Sequence, residues 1–426
     1  MYRRLLPKMN RSAAALAGVL LAAMALLVGC PPPPNAPTPE RPLRVQGVPT
    51  IRVLVSSGAS LRVWTRGPYR VMVDGREAGR SHASMNPCEL TVQGTAWVLG
   101  ELRYQGNTLS IEGLEGSVSA GRGGSGTLVG VGDCLYRGGL VFSVDPQRGL
   151  IAVNHLDLES YLAGVLAKEL YPSWHLQTYK ALAVAARTYA MYESCTSGRS
   201  HRWDVLDNQA SQAYGGFSGE TDKSWQAVRD THGQVLAFGP SGREKIFRAY
   251  YSSCCGGMSN NVCVLKGQPV GGPLAGGQAD EDCRASTKYR WPAVVLPKDV
   301  IYRALVKTYP DMAELGGVRT IQPVDELYGR TVWVEVVGVS GGRYKVRADD
   351  LRLSLLRSGD DRAKALYSMN CQIRDTGNAI AFEQGRGFGH GVGLCQFGAE
   401  GKAIRGLKAS HILAAYYPGA KLKRAY

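Results

Sequence analysis

The chain has 426 residues, 44% of them hydrophobic and 20% charged, which is enough for two or three globular domains. Its formal net charge is +15, and four of these positive charges lie in the first 29 residues, which leaves +11 on the remainder. An excess of positive charge favours polyanionic partners such as teichoic acids, lipopolysaccharide or peptidoglycan carboxylates, unless it serves solubility alone. Because no nucleic-acid-binding motif accompanies the charge, nucleic acid is excluded as an expected partner.

Residues 1–29 have the pattern of a signal peptide. A basic start precedes an apolar run over 13–28, which is short for a membrane span. The run ends in a Leu-Val-Gly-Cys sequence that resembles a bacterial lipobox, whose cysteine, here Cys30, is lipidated. Residues 30–49 then form a Pro-rich tether. We expect an exported lipoprotein, periplasmic or at the cell surface, anchored in the membrane through Cys30; an uncleaved membrane anchor is the alternative.

Residues 50–149 show short alternating patterns that predict an N-terminal β-rich domain. An Asp-Gly pair beginning at Asp74 predicts a tight turn between two of its strands. The predicted strands cover 51–55, 69–73, 96–99, 108–111 and 139–144.

Two strong helical patterns follow, over about 158–170 and 174–193. Pro172 disfavours helical backbone at the residue before it and so ends the first helix, and Ser173 is the expected N-cap of the second. The first helix places Glu169 on one face with four apolar residues, Tyr161, Leu162, Val165 and Leu166.

The remainder of residues 150–426 has the pattern of strands and Gly-rich loops, with a loop-rich, Cys-containing insertion near 262–290. Its clearest predicted strand covers 333–337, and a short helix is predicted over 410–417. The expected fold class is α+β: β-rich, with two packed helices that carry the site and with Gly-rich loops.

Glu169 is the strongest candidate for a catalytic residue. A carboxyl group on the apolar face of a helix is desolvated, which raises its pKa and suits it to general acid catalysis. The alternative is a Glu at the edge of that face, paired with a basic residue. Arg187 lies on the second helix and is also expected to be buried, so the two side chains could meet; that contact would lower the pKa of Glu169. Equally, Arg187 could belong to a purely structural ion pair.

The Gly-dense stretch over 385–393 lacks both the dinucleotide-binding and the phosphate-loop motif, so it does not predict a nucleotide site. Its glycines allow close approach of the backbone to a ligand or to another strand. His390 in this stretch is either a proton shuttle open to substrate or a hydrogen-bonded structural residue. Ser252 and Ser253 lie in a loop of small residues that suits a site, although no nucleophile elbow surrounds them.

Nine cysteines remain after Cys30, and an oxidising compartment favours disulfides, with at least one thiol left over. Zinc binding is the alternative for four of them, but their spacings match no established pattern, and we expect no metal and no other cofactor. These four are Cys254, Cys255, Cys263 and Cys283.

Several motifs together resemble the stage II sporulation protein D (SpoIID) / LytB family of peptidoglycan-active proteins, over about residue 151 to the C-terminus. In chain order they are HLDLESYL at 155–162, KELYPSW at 168–174, KALAVAARTYA at 180–190, SQAYGG at 211–216, YSS at 251–253, GFGHGVG at 387–393, QFGA at 396–399 and YYPG at 416–419.

The resemblance implies a lytic transglycosylase that cleaves peptidoglycan glycan strands. It places the catalytic Glu at Glu169 with Arg187 beside it, and it makes Tyr214, His390 and the two serines Ser252 and Ser253 substrate-binding residues. Some relatives carry zinc ligands just before the SQAYGG motif, but residues 204–210 here contain neither His nor Cys. The LytB branch implies the alternative, a non-catalytic glycan-binding protein that enhances an N-acetylmuramoyl-L-alanine amidase. A purely structural envelope lipoprotein is a third possibility.

Overall fold

The computed structural model describes residues 46–114, 126–196, 198, 200–268 and 270–426. The predicted signal peptide, Cys30 and most of the tether lie outside these residues. No helix within the described residues is both long enough and apolar enough to cross a bilayer.

Two antiparallel sheets build the N-terminal region. Their strands are β1 (Thr50–Gly58), β2 (Leu61–Arg66), β3 (Tyr69–Val73), β4 (Arg76–Ser81), β5 (Cys88–Gln93), β6 (Ala96–Leu99), β7 (Leu102–Gln105), β8 (Leu109–Gly113), β9 (Leu128–Val131), β10 (Cys134–Tyr136), β11 (Gly139–Asp145), β12 (Gly149–Asp157) and β13 (Val205–Leu206). The seven-stranded sheet has the order β13-β1-β12-β11-β8-β3-β4, with only β13 running parallel to its neighbour, and the six-stranded sheet has the order β10-β9-β2-β5-β6-β7. The predicted turn at Asp74 is present, with positive φ at Asp74 and Gly75 as such hairpins require.

Strand β12 leads directly into the first helix, α1 (Leu158–Glu169), because Asp157 ends the strand and caps the helix. Its side chain accepts a hydrogen bond from the backbone N–H of Ser160 over 2.9 Å. The second helix, α2 (Leu176–Cys195), is almost entirely buried. Both helices occupy the predicted positions and share one hydrophobic core with the two sheets.

The predicted N-cap of α2 at Ser173 is wrong. His175 occupies the cap position and makes no capping hydrogen bond with its own side chain. Instead, the Glu400 carboxylate accepts from the His175 backbone N–H over 3.0 Å and from the Thr178 hydroxyl over 2.7 Å. A residue distant in sequence therefore accepts from the backbone N–H of the cap residue, the bond that a Glu at the third helical position makes in a capping box.

The rest of the chain adds short helices and small sheets. The further helices are α3 (Asp222–Asp230), α4 (Cys263–Lys266), α5 (Lys298–Thr308), α6 (Ala348–Leu356), α7 (Gln396–Ile404) and α8 (Ala409–Tyr416). The further strands are β14 (Gln234–Phe238), β15 (Lys245–Ile246), β16 (Tyr251–Ser252), β17 (Arg290–Trp291), β18 (Val294–Pro297), β19 (Val318–Leu327), β20 (Arg330–Gly338), β21 (Arg343–Arg347), β22 (Gln372–Asp375), β23 (Ala379–Glu383), β24 (Gly385–Arg386), β25 (Leu394–Cys395) and β26 (Lys421–Arg424). The predicted α+β, β-rich fold class is confirmed.

A second hydrophobic core lies within residues 291–382 and is built by α5, α6 and strands β18 to β23. The predicted strand over 333–337 is the centre of β20, which pairs with both β19 and β21. The chain then returns to the first core through the Gly-rich stretch.

The Gly-rich stretch packs against the chain between Tyr250 and Gly256. Cys254 and Phe388 exchange two backbone hydrogen bonds, of 3.1 and 2.8 Å. A Cβ atom at Gly387 would lie 2.6 Å from the Cys254 carbonyl oxygen, and one at Gly393 would overlap the Tyr250 carbonyl oxygen. The close approach that dense glycine allows is thus made to another segment of the chain.

Candidate functional site

Glu169 lies at the last position of α1, where its side chain is half-buried. Its Oε1 accepts a hydrogen bond from the Ala213 backbone N–H over 2.8 Å, and its Oε2 accepts from the side-chain amide of Gln396 over 2.9 Å. The Tyr251 hydroxyl lies 3.4 Å from Oε1 and donates to it. Three segments far apart in sequence therefore hold one carboxyl group.

Burial raises the pKa of the Glu169 carboxyl above its ordinary value. The hydrogen bonds from Ala213, Gln396 and Tyr251 lower the pKa, because they stabilise the charged form, but desolvation is the larger effect. Burial also raises the pKa of Tyr251 well above its ordinary value, so this hydroxyl remains a donor. The site can therefore supply a proton at a higher pH than a solvated Glu can.

The pairing of β16 with β25 brings Tyr251 and Gln396 together. Tyr251 pairs with Leu394 and Ser252 with Cys395 in a short parallel ladder. The Phe397 backbone N–H then donates to the Ser253 carbonyl oxygen over 3.1 Å. Because Gln396 follows this ladder directly, its side chain reaches Glu169 from the first residue of α7.

An aromatic cluster lies next to Glu169 along the chain. The ring centroids of Tyr171 and Trp174 are 5.1 Å apart, and those of Trp174 and Phe397 are 4.9 Å apart. The Tyr171 side chain is 57% exposed, and the other two rings are half-buried. Since Tyr171 lies two residues after Glu169 and Phe397 directly follows Gln396, the cluster presents an open aromatic surface close to the carboxyl group.

The expected contact between Arg187 and Glu169 is not formed. Arg187 is fully buried, and its Nε and Nη2 donate to the Glu159 carboxylate over 2.9 and 2.6 Å. Its remaining side-chain nitrogen donates to the Gln234 carbonyl oxygen over 3.1 Å. Arg187 therefore belongs to a buried structural ion pair, the alternative that the sequence left open, and does not face a substrate.

Tyr214 does not line an open groove. Its side chain is buried between Tyr136 and Tyr161, with ring centroids 5.9 and 5.0 Å away, and its hydroxyl donates to Oδ1 of Asn154 over 3.0 Å. The segment contributes to the site through its backbone, because Ala213, one residue earlier, donates to Glu169. The tyrosine that contacts the carboxyl group is Tyr251.

The remaining predicted binding residues stabilise the loops beside Glu169. The Ser252 hydroxyl is buried and accepts from the Gly391 backbone N–H over 3.2 Å, while Ser253 is half-buried. The His390 ring accepts from the Val392 backbone N–H over 3.0 Å and packs edge-on against Tyr250. Burial lowers the pKa of His390 to about 4, so the ring is neutral at neutral pH, which agrees with the structural alternative.

Sequence reasoning missed Tyr251 and Gln396 as partners of Glu169. Both lie inside recognised motifs, the YSS and QFGA segments, and that was the available signal. Their sequence separations from Glu169 are 82 and 227 residues, so no local periodicity could join them.

No disulfide joins the cysteines that the structure describes, although the sequence favoured disulfides. Three cysteines, Cys255, Cys283 and Cys395, lie close together with Asp280. Cys263, which the sequence grouped with two of them, instead packs in a separate small core with Val332 and Val392.

Together the fold and the site define an α+β protein with one desolvated carboxyl group held by three donors beside a partly exposed aromatic cluster. The SpoIID family, described as stage II sporulation protein, matches residues 146–238, which include all of α1 and α2. An uncharacterized protein of Brachyspira hyodysenteriae is 30% identical over 291 residues, which cover 67% of this chain and 71% of that protein. The chain belongs to the SpoIID family.

Two further relatives have descriptive names. The amidase enhancer of Bacillus subtilis is 28% identical over 302 residues, covering 61% of this chain but only 40% of the enhancer. Stage II sporulation protein D of Bacillus subtilis is 25% identical over 292 residues, covering 64% of this chain and 76% of that protein.

Proposed function

We propose that this protein acts on the bacterial cell wall as a lytic transglycosylase, cleaving the bond between N-acetylmuramic acid and N-acetylglucosamine in peptidoglycan. The observation that carries the proposal is the raised pKa of Glu169, a half-buried carboxyl group held on both oxygens. Membership of the SpoIID family supports the cell wall as the place of action.

One carboxyl group can perform both halves of this reaction. Protonated Glu169 gives its proton to the glycosidic oxygen, and the bond from that oxygen to the anomeric carbon of N-acetylmuramic acid breaks. The resulting carboxylate takes the proton of the same sugar's C6 hydroxyl, whose oxygen closes on the anomeric carbon. The product carries a 1,6-anhydro ring, no water is consumed and Glu169 is again protonated, whereas most glycoside hydrolases need two carboxyl groups.

The hydrogen bonds of Glu169 suit a group that alternates between two charge states. Gln396 and Ala213 fix the carboxyl plane in both states, because a carboxylic acid retains acceptor capacity. They also stabilise the carboxylate formed after the first step, so the pKa is raised without the charged form becoming inaccessible.

The aromatic cluster of Tyr171, Trp174 and Phe397 is the proposed platform for the sugar rings. Aromatic faces bury the apolar faces of ligands while their edges stay near water, and Tyr171 is the most exposed of the three. The net positive charge of the chain favours approach to the carboxylates of peptidoglycan. Both features support glycan strands as the partner.

Product analysis tests the proposal. Purified protein is incubated with intact peptidoglycan and with peptidoglycan stripped of its stem peptides, and the released sugars are analysed by mass spectrometry. We expect 1,6-anhydro ends. Ends carrying the mass of an added water would reject the transglycosylase reaction, and no release from either substrate would reject an enzyme.

The second candidate is a non-catalytic enhancer of an N-acetylmuramoyl-L-alanine amidase, which the similarity to an amidase enhancer favours. The substitution Glu169→Gln separates the two functions, because it removes the proton and leaves the side-chain shape. An enzyme loses turnover with this variant. An enhancer still stimulates an added amidase to the same extent.

Export and anchoring through Cys30 are part of the proposal and rest on the sequence pattern of residues 13–30. Mass spectrometry of the membrane-bound chain, from strains producing the wild type or Cys30→Ala, provides the test. We expect the wild-type chain to begin at Cys30 and to carry added acyl mass, and the variant to carry none. A wild-type chain with an unmodified Cys30 would contradict lipid anchoring.

A further inference from the structure

A buried cluster of side chains of the types that bind metals lies close in sequence to Tyr251 and Gln396, the two side chains that hold Glu169. The Sγ atoms of Cys255, Cys283 and Cys395 and a carboxylate oxygen of Asp280 all lie within 4.8 Å of one another. The three cysteines are fully buried, and Asp280 is 2% exposed. The four residues come from the loop after β16, a 3-10 helix at Glu281–Ala285 with the residue before it, and the cap of α7.

The spacing of the sulfur atoms suits an ion at their centre. The Sγ atoms of Cys255 and Cys283 are 3.6 Å apart. Two thiolates bound at about 2.3 Å to a tetrahedral zinc ion lie about 3.8 Å apart, whereas a disulfide places its sulfur atoms about 2.05 Å apart. Three thiols and one carboxylate are also donors that zinc accepts, and the soft sulfur ligands disfavour magnesium and calcium.

We propose that Cys255, Cys283, Cys395 and Asp280 bind one structural zinc ion. This site is distinct from the stretch over 204–210, where the sequence offers neither His nor Cys, and from the carboxyl group of Glu169. The zinc assignment stands independently of the proposed transglycosylase activity.

Hydrogen bonds around the cluster already orient its donor groups. Asp280 Oδ1 accepts from Lys402 Nζ over 2.7 Å, and Oδ2 accepts from the Tyr416 hydroxyl over 2.7 Å. The Cys395 sulfur accepts from the backbone N–H groups of Cys255 and Gly398, each over 3.3 Å. Metal sites depend on such outer contacts, which fix ligand orientation, and the Lys402 charge offsets part of the negative charge of the ligands.

A plain buried core does not explain this combination. Free cysteines pack well as small apolar side chains, as Cys371 does in the second core. Here three thiols surround a carboxylate that is itself almost fully buried. Burying a charged group is costly unless it is paired or coordinates a metal, and one lysine does not account for the three converging thiols.

The ion would fix the position of both side chains that hold Glu169. Cys395 directly precedes Gln396, whose amide donates to Oε2 of Glu169. Cys255 follows Tyr251 by four residues in the loop after β16. Binding zinc would therefore lock the register of β16 against β25 and the start of α7.

Metal content of the purified full-length chain tests the site. Protein purified without chelator is expected to contain one zinc ion per chain by inductively coupled plasma mass spectrometry. We expect the zinc affinity to fall at least tenfold in Cys283→Ser and in Cys395→Ser, because losing a ligand should cost no less than losing an outer contact, which costs about 10- to 100-fold. The matched controls Cys263→Ser and Cys371→Ser, also buried but outside the cluster, should keep it.

A second measurement needs no variant and so does not depend on how well a variant folds. Replacing the metal of wild-type protein by Co²⁺ under reducing conditions should give a thiolate-to-cobalt charge-transfer band and should raise the melting temperature relative to the chelator-treated protein. Three outcomes overturn the proposal: no zinc and no cobalt band, equal zinc in all four variants, or a Cys255–Cys283 disulfide in non-reducing peptide mapping of the purified chain. Activity is not needed for any of these readouts.

Discussion

The side-chain amide of Gln396 donates to Oε2 of Glu169 over 2.9 Å and so joins the first residue of α7 to the last residue of α1. This contact spans 227 residues of sequence. It places the carboxyl group between α1 and the start of α7, which follows the Gly-rich stretch in sequence. The chemistry of the site therefore depends on the packing of the whole first core and not on α1 alone.

Glu169→Gln should abolish most of the release of 1,6-anhydro products, because the amide has no proton to give. General acid or base catalysis contributes about 10²- to 10⁴-fold to a rate, and we expect a loss in that range. The thermal stability should be unchanged or slightly higher near neutral pH, since the variant has no buried carboxylate to form. Product release by mass spectrometry and the melting temperature are the two measurements.

Glu101→Gln is the matched control for this prediction, because Glu101 is an exposed carboxylate in the turn between β6 and β7. It should retain full activity. Equal activity of Glu169→Gln and the control would remove Glu169 from the mechanism.

Gln396→Met should move the alkaline limb of the pH profile to higher pH. The Gln396 amide lowers the pKa of Glu169, so its loss leaves desolvation less opposed and the pKa rises further. The acid form of Glu169, needed for the first step, then persists to higher pH. Turnover at the optimum should fall, because the carboxylate needed for the second step loses a donor. The pH dependence of kcat/KM measures both effects.

The corresponding stability effect has a definite sign. A Glu with a raised pKa binds its proton more tightly in the folded state, so ionisation destabilises the fold as the pH rises through the raised value. Gln396→Met should make the loss of stability on going from acidic to neutral pH larger. The exposed Gln105→Met should change neither profile, and a downward shift of the limb in Gln396→Met would contradict the assignment.

Local patterns in the sequence were enough for the predicted strands, for α1 and α2 and for the desolvation of Glu169, because hydrophobic periodicity and turn residues act over a few positions. They did not predict other elements, such as β9, β10 and α3. The hydrogen-bond partners of Glu169 could not be predicted from local patterns. Ala213, Tyr251 and Gln396 contact Glu169 only after the sheets and the Gly-rich stretch have packed. Ser173 failed as the cap of α2 for a similar reason: the cap residue is His175, whose backbone N–H donates to Glu400, 225 residues away in sequence.

Helix geometry explains which of the two alternatives for Arg187 the structure adopts. Helices α1 and α2 are joined by a short connection and fold back on each other, so residues equally far from the turn meet. Arg187 lies eleven residues beyond the start of α2, about 16 Å along its axis, and Glu159 lies a similar distance before the end of α1. Glu169, at the turn itself, was too close to the connection to reach Arg187.

Arg187→Met should lower the free energy of unfolding by about 3–5 kcal/mol, because it leaves the buried Glu159 carboxylate without its charged partner. The double variant Arg187→Met with Glu159→Gln should recover part of this loss. Denaturant unfolding measures both. Arg303→Met, which breaks an exposed pair with Asp299, should cost at most about 1 kcal/mol. If Arg187→Met loses activity while its free energy of unfolding is unchanged, Arg187 has a role in the active site.

His390→Asn should leave the shape of the activity profile between pH 5 and 8 unchanged, because the pKa of His390 is lowered to about 4 and the ring is already neutral there. Asn preserves an acceptor for the Val392 backbone N–H.

The pH dependence of stability should instead differ between the wild type and His390→Asn. An unfolded His takes up its proton near 6.5, so the wild type loses stability as the pH falls below that value, and the variant should lose less. A new or missing limb in the activity profile near pH 6.5 would show that His390 exchanges protons during the reaction.

Tyr171→Ala should raise KM for glycan strands about two- to tenfold with little change in kcat, because Tyr171 is proposed to stack on sugar rings away from the bond that breaks. Such a change corresponds to about 0.5–1.5 kcal/mol, the range of a specific aromatic contact. The folded state should tolerate the substitution, since the side chain is 57% exposed. Initial rates across a range of soluble glycan concentrations give the two constants.

The control is Leu102→Ala, which removes an equally exposed apolar side chain (56%) from the N-terminal region. If Tyr171 is part of the platform, only Tyr171→Ala should weaken binding, and Trp174→Ala should weaken it further, because Trp174 packs between Tyr171 and Phe397. A fall in kcat at constant KM would instead mean that the cluster positions Glu169 through Leu170 and Gln396. If Tyr171→Ala and Leu102→Ala change KM equally, the aromatic cluster is not a platform for the sugar rings. The proposed role of Glu169 would not be affected by that result.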